Sequence, residues 1–142
     1  MQISLDLGKF PGHTARMDAV VAGHVCVDLT PGYPESLAVE SLTDYLRPGS
    51  LLDVRGLTVS PGGAVSNIGL GMARMGVPIR LAARVGKDLL ASLLTASLSE
   101  VATAAAVELH LEEDPLRATS FSVILALPGR DRIILHDTGA ND

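Results

Sequence analysis

The stretch Asp18–Leu29, with the sequence DAVVAGHVCVDL, decides the fold class. It is almost continuously apolar and rich in β-branched residues, which predicts a strand buried on both faces. Such strands are typical of parallel sheets, because helices cover both faces of those sheets. Turn-forming residues follow directly in Thr30–Pro34, so we expect the strand to close at Asp28.

Helix and strand patterns alternate through the rest of the chain. In order, they predict a short helix over Leu37–Leu46, an exposed strand over Leu51–Ser60, a helix over Ala64–Met75, a strand over Ile79–Val85, a helix capped by Asp88, a strand over Val107–Leu111, and a hairpin of Ser120–Leu127 with Arg132–His136. Strands that alternate with helices imply an α/β sheet with right-handed crossovers. The hairpin and the insertion in the 30s to 50s are then antiparallel additions to it.

The predicted helix Ala64–Met75 has apolar residues at spacings of three and four, which indicates one buried stripe. The stripe consists of Val65, Ile68, Met72 and Met75. Gly76 stands where a left-handed residue ends a helix. Gly69 and Gly71 lower the helix propensity, and they make sense if this helix lies very close to a sheet.

Composition excludes several classes of function. The 142 residues are 47% hydrophobic but only 3% aromatic, and 16 acidic residues outnumber 11 basic ones. Nucleic acid is therefore not an expected partner, because its binding needs basic grooves and stacking aromatic rings. The N-terminus has no signal-peptide pattern, no stretch is long enough to span a membrane, and the single cysteine excludes an internal disulfide. These features predict a cytoplasmic protein.

The strongest candidate site is the sequence SPGGAVSN at residues 60–67, at a strand-to-helix junction. Gly62 and Gly63 would let a ligand approach the backbone, and the helix start offers unpaired N–H groups. The Asn67 amide could donate to and accept from a bound hydroxyl. The alternative is an ordinary glycine turn with Asn67 on a solvated helix face, and the spacing alone leaves both interpretations open.

A second candidate is Asp28, at the expected carboxyl end of the first strand, where α/β folds bind ligands. Its carboxylate could accept two hydrogen bonds from a diol, or it could be an ordinary solvated strand end. His24 and Cys26 alternate onto one face of the same strand, and we interpret them as a packed polar pair because no further metal ligands converge there. No metal site is predicted.

Taken together, these segments resemble the PfkB family of sugar and nucleoside kinases, also called ribokinase-like, from about Asp18 to Asp142. The matching segments are Asp18–Asp28, the Gly-Gly-x-x-x-Asn pattern of Gly62–Asn67, Ala73–Gly76, the Val-Gly-x-Asp pattern of Arg84–Asp88, and Thr119–Leu127 with Asp131–Asn141. The resemblance implies a doubly wound, mostly parallel α/β sheet with a small β lid. Residues 1–17 would be an N-terminal extension, and lid elements would lie at about 30–60 and 119–136.

The resemblance also implies a function. The family phosphorylates a hydroxymethyl group of a sugar or nucleoside with ATP and Mg²⁺. Asp28 and Asn67 would bind sugar hydroxyls, and Gly62 and Gly63 would let the sugar approach the backbone. The lid strands would also form a homodimer contact.

The sequence departs from the family in three ways. Cys26 stands where ribokinases proper have a sugar-contacting Asn, and Ala64 stands where they have Lys, so ribose is a doubtful substrate. The family's catalytic base lies in a Gly-Ala-Gly-Asp motif, and the 142 residues do not contain one. Asp137–Asp142 instead resembles the mid-chain Gly-Ala-Asn segment.

On this interpretation the chain is roughly the sugar-binding N-terminal half of a kinase, truncated before the ATP site. It would then have no catalytic or cofactor-binding residues of its own. The alternatives are a catalytically inactive sugar-binding or interaction fragment, and an unrelated α/β domain with a structural glycine turn.

Overall fold

The computed structural model describes residues 19–37, 45–104 and 107–142. The expected N-terminal extension, and most of the predicted helix over Leu37–Leu46, fall outside these ranges. The elements are β1 (Ala19–Ala22), β2 (Cys26–Pro31), β3 (Leu57–Gly62), α1 (Gly63–Arg74), β4 (Ile79–Gly86), α2 (Leu89–Ala104), β5 (Val107–Asp114), β6 (Phe121–Leu125), β7 (Ile133–Asp137) and a 3₁₀ turn (Gly139–Asn141).

The strands form a parallel three-stranded sheet in the order β1-β4-β5 and a mixed four-stranded sheet in the order β3-β2-β6-β7. The prediction of one strand over Asp18–Leu29 is wrong, because β1 belongs to the first sheet and β2 to the second. Between them Gly23 has a φ of +137°, and the carbonyl of His24 accepts from the N–H of Val65 instead of joining a ladder. Apolar continuity gave no sign of this break.

One face of β4 forms the floor of the hydrophobic core. Its alternate residues are buried together with Leu94 and Leu98 of α2 and with Val25, Val27 and Val65; those of β4 are Ile79, Leu81, Ala83 and Val85. The opposite face carries ion pairs to β5, since Arg80 contacts Glu108 at 2.9 Å and Arg84 contacts Asp114 at 3.3 Å. The alternation predicted for Ile79–Val85 is therefore confirmed.

Helix α1 buries part of the predicted stripe, since Val65 is buried and Met72 packs against the core. Its buried residues are Val65, Ser66, Gly69 and Ala73, whereas Ile68 is 53% exposed and Met75 is 74% exposed. The closest approach to the sheet is at Gly69, where a Cβ would collide with the Leu81 side chain. Gly71 has open space around its Cα, so close packing does not explain that glycine. Gly76 has a φ of +79°, as its place after the helix predicted.

The four-stranded sheet joins strands from both predicted lid segments. We call its faces polar and apolar after their central rows, although Ile124 and Ile134 lie on the polar one. Register aligns Ser60, Asp28, Ser122 and His136 in one row across β3, β2, β6 and β7. The neighbouring row, on the other face, consists of Val59, Leu29, Val123 and Leu135. The predicted hairpin is confirmed as the antiparallel pair β6–β7, and the strand predicted over Leu51–Ser60 is shorter and lies later in the chain, as β3.

Candidate functional site

Asp28 lies in the middle of the polar face of the four-stranded sheet. It is the third residue of β2, which continues to Pro31, so the prediction that it closes a parallel strand is wrong. Its neighbours in register are Ser60 on β3 and Ser122 on β6. The half-buried carboxylate accepts a hydrogen bond from the thiol of Cys26, with Sγ 3.3 Å from Oδ1.

The two glycines of the SPGGAVSN segment have different structural roles. Gly62 has an ordinary extended φ of −119°, but a Cβ there would collide with the Asp28 carboxylate. Gly63 has a φ of +84°, and a Cβ there would lie 2.6 Å from the His24 carbonyl oxygen and 2.9 Å from Val25 Cα. In this structure Gly62 therefore makes room for the carboxylate, while Gly63 lets α1 start against the chain between β1 and β2.

Asn67, the fourth predicted binding residue, is exposed on α1 one turn beyond Gly63. Among the described residues its side chain makes no hydrogen bond, and it does not contact the Asp28 cluster. The fold thus brings Asp28 and Gly62 into contact, places Gly63 next to them, and leaves Asn67 with a free amide on the helix that begins at this site.

Three further side chains, which the sequence analysis did not assign to the site, extend the cluster around Asp28. Ser122 Oγ lies 3.7 Å from Cys26 Sγ and 3.1 Å from Nδ1 of His136. Ser120 Oγ donates to the carbonyl of Asp137 at 2.7 Å and lies 3.1 Å from Nε2 of His24. The available signal was the alternation of Ser120 and Ser122 with apolar residues along β6.

The donors in this cluster fix the state of His24. Because the single hydrogen of the Ser120 hydroxyl goes to a carbonyl, His24 Nε2 must carry a proton and donate to Ser120 Oγ. The His24 and His136 rings meet edge to face, with centroids 5.2 Å apart. Burial lowers the pKa of His24, His136 lowers it further, and Asp28 offsets part of this, so neutral His24 is favoured.

The predicted packed pair of His24 and Cys26 is resolved into two separate contacts, one to Ser120 and one to Asp28. Burial raises the pKa of the Cys26 thiol, the hydrogen bond with Ser122 offsets part of the rise, and Asp28 adds to it, which brings the value to about 11. The thiol is therefore protonated at neutral pH and acts as a hydrogen-bond donor.

Asp88, at the end of the segment Arg84–Asp88, links the two sheets through hydrogen bonds. Asp88 accepts from the N–H of Ala91 at 2.9 Å, which confirms the predicted helix cap. It also accepts from the Thr119 N–H at 2.8 Å and the Thr119 hydroxyl at 2.7 Å, just before β6. Burial alone would raise the pKa of Asp88, but these hydrogen bonds together lower it. Asp88 is thus a structural carboxylate.

Asn141 forms a second link, between the 3₁₀ turn and the segment that connects β1 and β2. Its amide donates to the carbonyl of Val25 at 3.0 Å, and its oxygen accepts from the Val25 N–H at 3.4 Å. The 3₁₀ turn therefore takes up the backbone groups that are left unpaired between β1 and β2. This interaction explains why an amide follows the Gly-Ala pair.

Among residues 19–37, 45–104 and 107–142, no group of three or more His, Cys, Asp or Glu side chains could hold a metal ion. No helix in the same ranges is long and apolar enough to cross a membrane. The glycines Gly71 and Gly76, which have phosphate-loop spacing in the sequence, lie within and just after α1. These two glycines therefore do not form a phosphate loop.

No family model and no curated protein matches this sequence. Solved structures do match the fold. A ribokinase from Giardia lamblia superposes with a TM-score of 0.68 at 18% identity, over 88% of this chain and 37% of its own. A nucleoside kinase from Methanocaldococcus jannaschii gives 0.62 at 19% identity, over 86% and 37%.

A sugar kinase from Pyrococcus horikoshii, in complex with ATP, gives a TM-score of 0.61 at 26% identity, over 87% of this chain and 35% of its own. The chain thus spans well under half the length of these kinases. Over that span, the chain has the α/β fold of the ribokinase-like sugar and nucleoside kinases.

Proposed function

We propose that this chain carries the acceptor-binding part of a PfkB-type kinase that phosphorylates a hydroxymethyl group of a sugar or nucleoside. The fold supports the class of enzyme. The observation that carries the proposal is the Asp28 carboxylate, seated against Gly62 where β3 passes into α1. A half-buried carboxylate beside a helix start, in one row with Ser60, Ser122 and His136, suits a ligand with several hydroxyl groups.

In this proposal the chain's own residues bind and orient the acceptor. Asp28 accepts hydrogen bonds from sugar hydroxyls, and the free Asn67 amide both donates and accepts. Gly62 and Gly63 have no side chains, so they leave space for the acceptor between Asp28 and Asn67. ATP and Mg²⁺ would supply the phosphoryl group and neutralise its charge.

Sugar-dependent stabilisation tests the proposal. Melting temperatures of the chain would be measured with D-ribose, D-fructose and adenosine, for the wild type, Asp28→Asn and the control Asp131→Asn, which alters an exposed turn carboxylate. A true acceptor at ten times its Kd should raise the melting temperature by about 4 °C. The rise should vanish in Asp28→Asn and persist in the control. Equal rises in all three proteins would remove Asp28 from the site.

A second candidate function is a catalytically inactive sugar-binding or interaction fragment. It would need only the proposed acceptor-binding residues, all of which lie within the 142 residues: Asp28, Gly62, Gly63 and Asn67. Both candidates predict acceptor binding, and they differ in whether further sequence follows Asp142. An open reading frame with that motif would support the kinase, and an immediate stop codon would support the fragment. The 142 residues alone should show no ATP turnover with any of the three acceptors.

The proposal includes a partner and a location. The apolar face of the four-stranded sheet has exposed Leu57, Val59 and Leu135, which supports a homodimer through the lid. A net charge of −5 argues against nucleic acid as a partner, and the free thiol of Cys26 suits the reducing cytoplasm.

A further inference from the structure

The Asp28 carboxylate is attached to a buried thiol. Cys26 and Asp28 are two residues apart on β2, so both side chains point to the polar face of the four-stranded sheet. Cys26 is only 2% exposed, and its Sγ lies 3.3 Å from Asp28 Oδ1. A ligand above this face could therefore reach Asp28 but hardly Cys26.

The donors and acceptors around Cys26 follow from the number of hydrogens that each group carries. An ionised carboxylate only accepts, so the single thiol hydrogen goes to Asp28. The sulfur can then accept from the Ser122 hydroxyl, 3.7 Å away, in the tautomer of His136 whose Nδ1, 3.1 Å from Ser122 Oγ, carries the proton. Ser122 is 6% exposed, so it too is shielded from a ligand.

The space around Asp28 is equally restricted on its other side. The carboxylate lies so close to Gly62 that a Cβ there would overlap both carboxylate oxygens. Asp28 thus lies between the Gly62 backbone and the Cys26 thiol, which is its hydrogen-bond donor among the described residues.

We propose that Cys26, backed by Ser122, is a positioning residue that fixes the Asp28 carboxylate for an acceptor hydroxyl. Cys26 does not touch the acceptor. The inference rests on the proposed function for the identity of the acceptor, whereas the contact between Cys26 and Asp28 can be tested without any ligand.

The first experiment is a titration of the thiol, followed by the ultraviolet absorbance of the thiolate. Cys26 is the sole cysteine, and Cys26→Ser serves as the blank that removes the tyrosine signal. The wild type should titrate near pH 11. Asp28→Asn should lower this value because it removes a neighbouring negative charge, and Ser122→Ala should raise it because it removes a donor to sulfur. An unchanged titration in Asp28→Asn would overturn the proposal, whether or not any sugar binds.

The second experiment compares two replacements of the thiol in acceptor binding. Cys26→Ser keeps a donor, whereas Cys26→Val keeps the apolar volume and lacks one. With whichever of D-ribose, D-fructose and adenosine stabilises the wild type, Cys26→Val should weaken the Kd about tenfold and Cys26→Ser by no more than about twofold. Equal affinities of the two variants would contradict positioning by a hydrogen bond. If no acceptor stabilises the wild type, the proposed function fails and the titration alone decides the role of Cys26.

Discussion

At the scale of single residues, the role of a glycine or a carboxylate in this chain depends on the residue that it contacts. Gly62 is required by its neighbour and not by its own backbone, since its φ of −119° suits any residue. Asp88 lies just after β4 and Asp28 lies within β2. Asp88 accepts hydrogen bonds from three protein groups, whereas Asp28 accepts one, from the Cys26 thiol. Only Asp28 keeps accepting capacity for a ligand.

Gly62→Ala should therefore act as a binding mutation. The alanine Cβ would displace the Asp28 carboxylate, while the backbone at residue 62 needs no change. We expect the sugar-dependent thermal shift to be lost as completely as in Asp28→Asn, with a change in stability of about 1 kcal/mol from the forced rotamer. Gly71→Ala makes the same substitution in open space on α1 and should keep the shift. A thermal shift retained in Gly62→Ala would show that the position of Asp28 is not important.

Asp88→Asn should destabilise the fold in a pH-dependent way. The lowered pKa of Asp88 means that its ionised form contributes stability above about pH 4, and that this contribution is lost as the pH falls through the lowered value. We expect a loss of about 1 kcal/mol at pH 7 from the weakened helix cap, with the gap to wild type closing in strong acid. Urea midpoints across this pH range measure it. Asp131→Asn should show no such gap, and a gap independent of pH in Asp88→Asn would refute the argument.

At the scale of elements, the sequence predicted most strands and helices but not which sheet each strand joins. Periodicity indicated α1, β4, α2 and the β6–β7 hairpin within a few residues. It merged β1 with β2, because the intervening Gly23, His24 and Val25 were included in one largely apolar run. The break is set by distant partners, namely Val65 and Asn141, whose contacts no local pattern encodes.

The candidate site shows the same limit. Asp28 and the two glycines were identified from motif spacing, whereas Ser122 and His136 were not, because they reach Asp28 only through register across β6 and β7. The stripe of α1 was half right, because Val65 and Met72 pack in the core whereas Ile68 and Met75 are exposed. Its buried face is decided by the closeness of Gly69 to Leu81, and a hydrophobic count gives no weight to a buried serine or glycine.

The two interior glycines of α1 give opposite predictions for one substitution. Gly69→Ala would push a methyl group into Leu81, which is fully buried, and should destabilise the chain by about 1 kcal/mol after the gain in helix propensity. Gly71→Ala meets nothing and should stabilise by about 0.5–1 kcal/mol. Urea unfolding of both variants checks the difference. If the two variants had equal stabilities, α1 could not be packed on β4 as described.

At the scale of the whole molecule, two sheets share one core and leave different surfaces open. Val27 of the second sheet, and Val25 just before it, share one buried core with Leu81 and Val85 of the first, so neither sheet is independent. Within the described residues, β1 is paired on one side only, and β7 is exposed along its whole length. Unpaired edges promote association between chains, so we expect the 142 residues alone to be aggregation-prone.

The apolar face of the four-stranded sheet is the proposed surface of a homodimer. A charged substitution on each of the two edge strands tests this proposal. Leu135 on β7 is 56% exposed and lies in the row with Val59, Leu29 and Val123. If this face forms the proposed homodimer, Leu135→Lys would bury an unpaired charge there and should weaken the dimer at least about a hundredfold, roughly 3 kcal/mol.

Light scattering coupled to size-exclusion chromatography would report the change as a halved mass at equal concentration. The matched control is Thr58→Lys, which adds the same charge to the other edge strand but on the polar face, opposite Thr30. It should leave the mass of the dimer unchanged. Dissociation by both variants would indicate a general effect of charge, and a monomeric wild type would exclude the dimer. Only the selective loss in Leu135→Lys would tie the dimer to the face turned away from Asp28, where two chains could associate without closing either acceptor site.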